Sequence, residues 1–335
     1  MVRSYETFLR PERVEAPIVL CYFLVLLSLP VALSAQLLGL GSFQHPTGIQ
    51  WRTIETPHFE VIFPSEIARD AQRVANTLEH IYGPVSKTLN RPPEPISVLL
   101  NNRLTEPNGF VALAPRRSQW FSTPPQEGLL ANQEWYNLLA VHEIRHVVQL
   151  DKLNRGFTRG VDVLFGDIGQ LVLSFLAVPP WYWEGDAVGI ETALSEGGRG
   201  RTPSFTMDIR ALLLAGERYS YYKANHRSYR DWYPSHYPLG YLLTTHVRRR
   251  EGPELWGKVL ERTARFSFNP FSFNRALRKE TGKDLATTYD EAMGELQSRW
   301  RDELENTQLT SIRKRNLKAK STWTSYADPQ FLEDG

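Results

Sequence analysis

"LLAVHEIRHVVQ", residues 138–149, decides how the rest of this chain is read. Two of the eight histidines, His142 and His146, stand four apart in a run that otherwise reads as a buried helix, with Glu143 directly after the first. Four residues are about 400° of helical rotation, so both imidazoles leave one face roughly 6 Å apart. At that separation they can reach one metal ion, while Glu143 lies about 100° round the helix, beside such an ion and not on it. The alternative is a helix with two core histidines, satisfied by backbone carbonyls, and a solvated glutamate.

The flanking chain can support such a helix. With 335 residues, 41% hydrophobic and 12% aromatic, it is long enough for one large domain or two small ones. A net charge of +2 gives no electrostatic case for nucleic acid or an anionic surface. The basic stretch "SIRKRNLKAK" (311–320) is expected to solvate a linker. The sole cysteine, Cys21, lies in "APIVLCYFLVLLSLPVALSAQ" (16–36), an uncharged apolar run ending in small residues. That run reads as a secretory signal with cleavage near Ala35. Arg3, Arg10 and Arg13 are matched by Glu6, Glu12 and Glu15, however, so the usual positive leader is missing and an uncleaved membrane anchor is the alternative. A mature chain without cysteine has no disulfide scaffold, no cysteine-ligated zinc and no thiol nucleophile.

The pattern divides at about residue 130. Before it lie the β-like runs "HFEVIF" (58–63), "PISVLL" (95–100) and "GFVALA" (109–114), with one amphipathic helix near 65–89. After it come helices near 133–151, 163–176, 182–195, 205–216, 236–250, 253–264, 271–279 and 284–306, separated by Gly- and Pro-containing breaks. Small mixed β-sheet first and mainly helical half second is an α+β arrangement.

His142-Glu143-x-x-His146 is the H-E-x-x-H arrangement of zinc hydrolases, and zinc requires a further ligand. The H-E-x-x-H-x-x-G-x-x-H solution fails, because Gln149 and Lys152 occupy the positions of the glycine and third histidine. "PPWYWEGDAVGIETAL" (179–194) offers Glu184, set among Trp181, Tyr182 and Trp183. A carboxylate in aromatic surroundings needs a partner to offset its desolvation, and a metal ion would be one. Free N–H groups of a first helical turn are the other.

"HEIRH" followed later by "PWYWEGDA" resembles the gluzincin metallopeptidases, above all the peptidase-MA-like domains related to the M1 aminopeptidases, whose second motif has the form P-x-W-x-x-E-G-x-A. The resemblance implies a zincin-like fold and a Zn2+ held by His142, His146 and Glu184, with Glu143 as general base and acid. It further implies a tyrosine within Y-x-x-G that stabilises an oxyanion, matched here by Tyr237 and Gly240 in "SHYPLGYLL" (235–243), with His236 the next candidate. Phe110 to Ala114 resembles the edge strand that pairs with extended substrate. The M1 signature G-x-M-E-N is absent, and 108–125 holds no carboxylate to grip a substrate amino terminus, which favours an endopeptidase or broad peptidase. Val188 replaces the aspartate by which thermolysin-like enzymes support a zinc histidine, leaving Asp186 or Glu191 for that task.

"STWTSYADPQFLEDG" (321–335) is similar to the opening of a TolB-like β-propeller repeat, with Leu332 and Glu333 in place of Ser-Pro. One partial blade cannot close a propeller, so the chain is expected to be the front of a longer protein. The expectation is therefore a signal or anchor (1–35), a zinc peptidase domain (45–306) acting on peptides or proteins outside the cytoplasm, and a linker into a propeller (307–335). The rivals are a non-catalytic binding module for peptides or envelope proteins, and a membrane-anchored structural protein without metal.

Overall fold

The computed structural model describes residues 46–125 and 133–311. The expected signal or anchor, the propeller-like end and residues 126–132 lie outside them. The architecture is α+β, a five-stranded mixed sheet followed by a mainly helical half.

The sheet is built from β1 (Trp51–Glu55), β2 (Phe59–Pro64), β3 (Ile96–Asn101), β4 (Gly109–Leu113) and β5 (Arg116–Phe121), in the order β1-β2-β3-β5-β4. β2, β3 and β5 run parallel, while β1 and β4 are antiparallel edges. Alternation puts Phe59, Val61 and Phe63 of β2 and Ile96, Val98 and Leu100 of β3 on the buried face. Helix α1 (Ala68–Ser86) makes the crossover from β2 to β3 and turns Ala71, Val74, Ala75, Leu78 and Val85 to the same core.

Helix α2 (Trp135–Leu153) carries the histidines. The Glu134 side chain caps it by accepting from the Asn137 N–H at 3.0 Å. Asp151, near its far end, accepts from the Glu94 N–H (2.8 Å) and from Arg116 of β5 (2.9 Å), which fixes the helix against the sheet. Then follow α3 (Gly156–Ala177), α4 (Pro180–Leu194), α5 (Pro203–Leu214), α6 (Tyr221–His226), α7 (His236–Glu251), α8 (Leu255–Arg265), α9 (Ser272–Thr281) and α10 (Leu285–Glu305).

The structure adds two strands to those read from the sequence and moves the start of one helix. β1 and β5 read poorly as strands, because β1 is an exposed edge and β5 opens on Arg116 and Arg117, yet both pair. The stretch Phe110 to Ala114 falls on β4, which is an edge and ends at Leu113, and β5 inside the sheet stands between it and α2 in the chain. Helix α3 starts at Gly156, well before 163, and breaks at Gly166 (φ 68°). Its early part is held by packing, since a Cβ on Gly156 would stand 2.7 Å from the Arg265 backbone and Thr158 hydrogen-bonds Ser267 at 2.8 Å.

Candidate metal centre

Helices α2, α4 and α7 bring the expected residues together. Where α4 and α7 cross, a Cβ on Gly185 would lie 2.0 Å from the Gly240 carbonyl carbon, and one on Gly240 would lie 1.8 Å from the Trp181 carbonyl oxygen. Only two glycines allow this backbone-to-backbone approach. Glu184 directly precedes one of them and Tyr237 stands three positions before the other, so E-G and Y-x-x-G are two halves of one helix contact. Trp181 and Tyr182 pin the start of α4, their rings packing on Trp256 and Phe273.

Three donor atoms converge. His142 Nε2 lies 3.2 Å from His146 Nε2 and 3.2 Å from a Glu184 oxygen, and His146 Nε2 lies 3.5 Å from the same oxygen. A tetrahedral cation with bonds of about 2.05 Å has donor–donor edges of about 3.3 Å, so this triangle fits zinc in both size and donor chemistry.

The tautomers fit as well. His146 Nδ1 lies 2.9 Å from Gln149 Oε1, which can only accept, so the proton sits on Nδ1 and Nε2 keeps its lone pair. Gln149 is held in turn by donating to Asp186 (2.7 Å) and to the Trp183 carbonyl (3.0 Å). His142 Nδ1 lies 3.0 Å from Glu191 Oε2 but also 2.7 Å from Arg199 Nη2. These contacts demand opposite tautomers, because a guanidinium only donates and a carboxylate only accepts. The Glu191 contact is the one consistent with the triangle, for it leaves a lone pair on Nε2. Arg199 is then satisfied by Glu191 itself, which accepts from its Nε (2.9 Å), Nη2 (2.8 Å) and backbone N–H (2.9 Å).

Both supporting carboxylates are fully buried and ionised. Burial alone would raise Asp186, but Arg145 and Arg248 outweigh it and bring its pKa down to about 2. Arg199 does the same for Glu191, also to about 2. Arg145 is fully occupied, reaching Asp186 at 2.6 and 3.1 Å, the Val85 carbonyl at 2.7 Å and Thr88 at 2.9 Å. Arg248 adds a further ion pair to Asp186 from α7. The sequence named Asp186 and Glu191 as alternatives for one task. The structure uses both, one per histidine and the first through Gln149. Arg145, Arg199, Arg248 and the bridging role of Gln149 were missed.

In the absence of a cation the triangle retains a proton. Burial lowers the His146 pKa, but Glu184 and Glu143 outweigh it and push it up to about 9, while Glu184 is held well below the usual carboxylate range. A cation at this place displaces that proton, so its binding weakens as pH falls.

Glu143 and Tyr237 flank the triangle. Glu143 is buried, and burial raises its pKa. Among the described residues no group donates a hydrogen bond to its carboxylate. It lies against the edge strand, where a Cβ on Gly109 would come within 3.0 Å of its Oε1. Burial raises the Tyr237 hydroxyl, and the adjacent Glu184 carboxylate raises it further, so the hydroxyl is a donor at neutral pH. The Arg199 guanidinium sits 5.4 Å over the Tyr237 ring. His236 is half-buried in the same turn. Tyr241 turns elsewhere, packing on Phe205 and Gly200.

No protein-family model matches the chain, and no curated protein sequence does. Among solved structures, a two domain M1 zinc metallopeptidase, a mutant bound to L-arginine, is similar at 16% identity and a TM-score of 0.37. The match covers 75% of this chain and 51% of that one, so the chain spans about half the length of that structure.

Proposed function

We propose that this chain is a zinc-dependent peptide hydrolase of gluzincin type, acting on peptides or proteins outside the cytoplasm. The observation that carries the reading is the triangle of His142, His146 and Glu184 beside a buried Glu143 to which nothing in the described protein donates. His142, His146 and Glu184 would hold Zn2+, which when bound supplies Lewis acidity, lowering the pKa of water and polarising a carbonyl.

The chain's own residues supply the rest. The β4–β5 register, together with the Phe121 N–H bonding to the Asn108 carbonyl, makes Phe110 and Ala112 the residues bonded inward. The backbone groups of Gly109 and Val111 then point outward along the edge, where an extended peptide can pair with them. A scissile carbonyl laid along that edge comes to Glu143, which takes the proton of the attacking water and delivers it to the leaving amine. Its raised pKa suits both steps. Tyr237, next to Glu184, donates to the oxyanion. Location outside the cytoplasm is read from residues 16–36.

Glu143→Gln keeps size and hydrogen bonding but cannot take the proton. Zinc content should persist while hydrolysis of a diverse peptide library falls by a factor on the order of 10² or more. A wild-type protein that binds zinc and cleaves nothing would instead be the binding module.

A further inference from the structure

We infer that the outward face of α3 is a docking surface for a lipid bilayer. This helix is apolar on its outward side as well as on its inward one. In its second half Ile168, Val172, Phe175 and Leu176 fall at i, i+4, i+7 and i+8 and form an outward stripe, exposed save for the half-buried Val172. The inward side holds polar Gln170 and Ser174 beside Leu171, Leu173 and Ala177, with Gln170 donating to the Leu150 carbonyl at 3.0 Å. Between 163 and 177 Asp167 is the single charged residue. A helix on the surface of a protein in water carries polar residues on its outward side, and scattered single apolar residues would not form a stripe.

The shape selects the occupant. Val163, Leu164 and Phe165 are 71%, 76% and 64% exposed, and three consecutive helical residues sweep about 200° of circumference. The helix end before the Gly166 break therefore projects from the body with apolar side chains on most of its girth. A protein partner would need a matched socket to cover such a tip, whereas acyl chains surround it without one, and a helical backbone already satisfies its own hydrogen bonds. The tip is not isolated. Phe157 meets Phe268 at 5.0 Å and Phe268 meets Phe266 at 6.4 Å, and Phe266, Phe268 and Phe271 are all exposed, which widens the face with aromatic rings.

Arg155, Arg159, Arg262 and Arg265 stand exposed at its margin, at the level where anionic headgroups would meet them, although each is also within ion-pair reach of a carboxylate. Asp162, Asp167 and Arg159 within the helix, and its buried inner side, fit a helix lying on the bilayer and not one crossing it. The chain also carries the apolar run 16–36. Retained, it would hold residue 46 within roughly 30 Å of a bilayer, the reach of the nine residues between them. Phe175 packs 5.2 Å from Trp183, the neighbour of Glu184, so the docked face would border the candidate metal centre.

The test uses the full chain with Cys21→Ser, which frees the sequence of cysteine, and an environment-sensitive fluorophore on Leu164→Cys. With phosphatidylcholine–phosphatidylglycerol vesicles its emission should shift to the blue and gain several-fold, brominated acyl chains should quench it, and the same label on Thr287→Cys of α10 should not respond. Phe165→Glu with Ile168→Glu should abolish the response while zinc content stays that of the parent. No response at Leu164→Cys, or an equal one at Thr287→Cys, overturns the proposal. A label already blue-shifted without vesicles, in a chain that sediments as a dimer, overturns it in favour of a second copy. None of these readouts requires peptide hydrolysis, so they stand apart from the hydrolase reading.

Discussion

Helices α3 and α4 follow one another in the chain, and they break the rule of apolar inside and polar outside in opposite directions. α4 turns Asp186 and Glu191 inward, each fully buried, with Glu184 beside them and mostly buried. α3 turns apolar side chains outward over most of its length. The inward charges are compensated on the spot, since Arg145, Arg248, Arg199, Gln149 and the two histidines account for every one. The outward apolar residues are far less covered: Phe175 meets Trp183, while Val163, Leu164, Phe165, Ile168 and Leu176 stand exposed. A fold departs from its own patterning rules where some function requires it, and the two departures differ in where the compensation lies: inside the molecule for α4, outside it for α3.

The largest effect should come from breaking the compensation in α4. Asp186→Ala leaves Arg145 and Arg248 without their shared carboxylate in the interior and should destabilise the protein by about 3–5 kcal/mol, read from urea unfolding. A loss below about 1 kcal/mol would mean that the network is not needed for stability. The same residue predicts the acid limb. Its folded pKa of about 2 lies below its ordinary 3.8, so its stabilisation is complete above about pH 4 and is lost as pH falls through 2. Glu191, also at about 2 against an ordinary 4.5, adds in the same window, and Asp186→Ala should flatten this limb.

Tyr237→Phe should come next, at about 2–4 kcal/mol in the barrier for hydrolysis, with turnover reduced and substrate binding nearly unchanged. The ring packing on Arg199 survives the change, so folding should not suffer. Tyr241→Phe is the control, because its ring lies against Gly200 and Phe205, away from Glu184. A greater rate loss for Tyr241→Phe would show that the Y-x-x-G match selects the wrong tyrosine.

Glu191→Gln tests how far the support of one histidine matters. The amide can still accept from His142 Nδ1 but no longer carries the charge that holds Arg199, and zinc affinity should fall about 10–100-fold. Competition with a chelating dye measures it. An unchanged affinity would mean that the charge on Glu191 does not support zinc binding through His142.

How much of this was legible in the sequence depended on whether a feature is local. His142, Glu143 and His146 lie within one helix, and spacing alone puts them on neighbouring faces. Glu184 and Tyr237 were singled out because each belongs to a short motif that contains a glycine, Gly185 directly after the first and Gly240 three positions after the second. Arg199 lies in "GGRG", at the start of a single 3-10 turn (Arg199–Arg201) too short to show periodicity, and its partners Glu191 and His142 belong to two different helices, so nothing short of the fold joins them. Gln149 was visible only as a failed zinc-ligand pattern. β5 was hidden because its arginines are useful where they are, Arg116 on Asp151 and Arg117 6.0 Å over the Phe110 ring. For α3 the composition showed a helix, but which side faces the body is fixed by α2 and α8, and with it which apolar residues are left outside.

The smallest effect is the one that separates the two helices most clearly. If the outward side chains of α3 have their partner outside the molecule, truncating one should not touch the folding equilibrium in water. Leu164→Ser removes a side chain in a residue that is 76% exposed, and should change stability by no more than about 0.5 kcal/mol in either direction. An inward change on the same helix supplies the scale. Leu173→Ala, at a buried position, should cost about 2–5 kcal/mol by lost transfer energy and cavity formation. Should Leu164→Ser cost as much as Leu173→Ala, then some part of this chain covers residue 164 in solution, and α3 would be compensated from within, as α4 is.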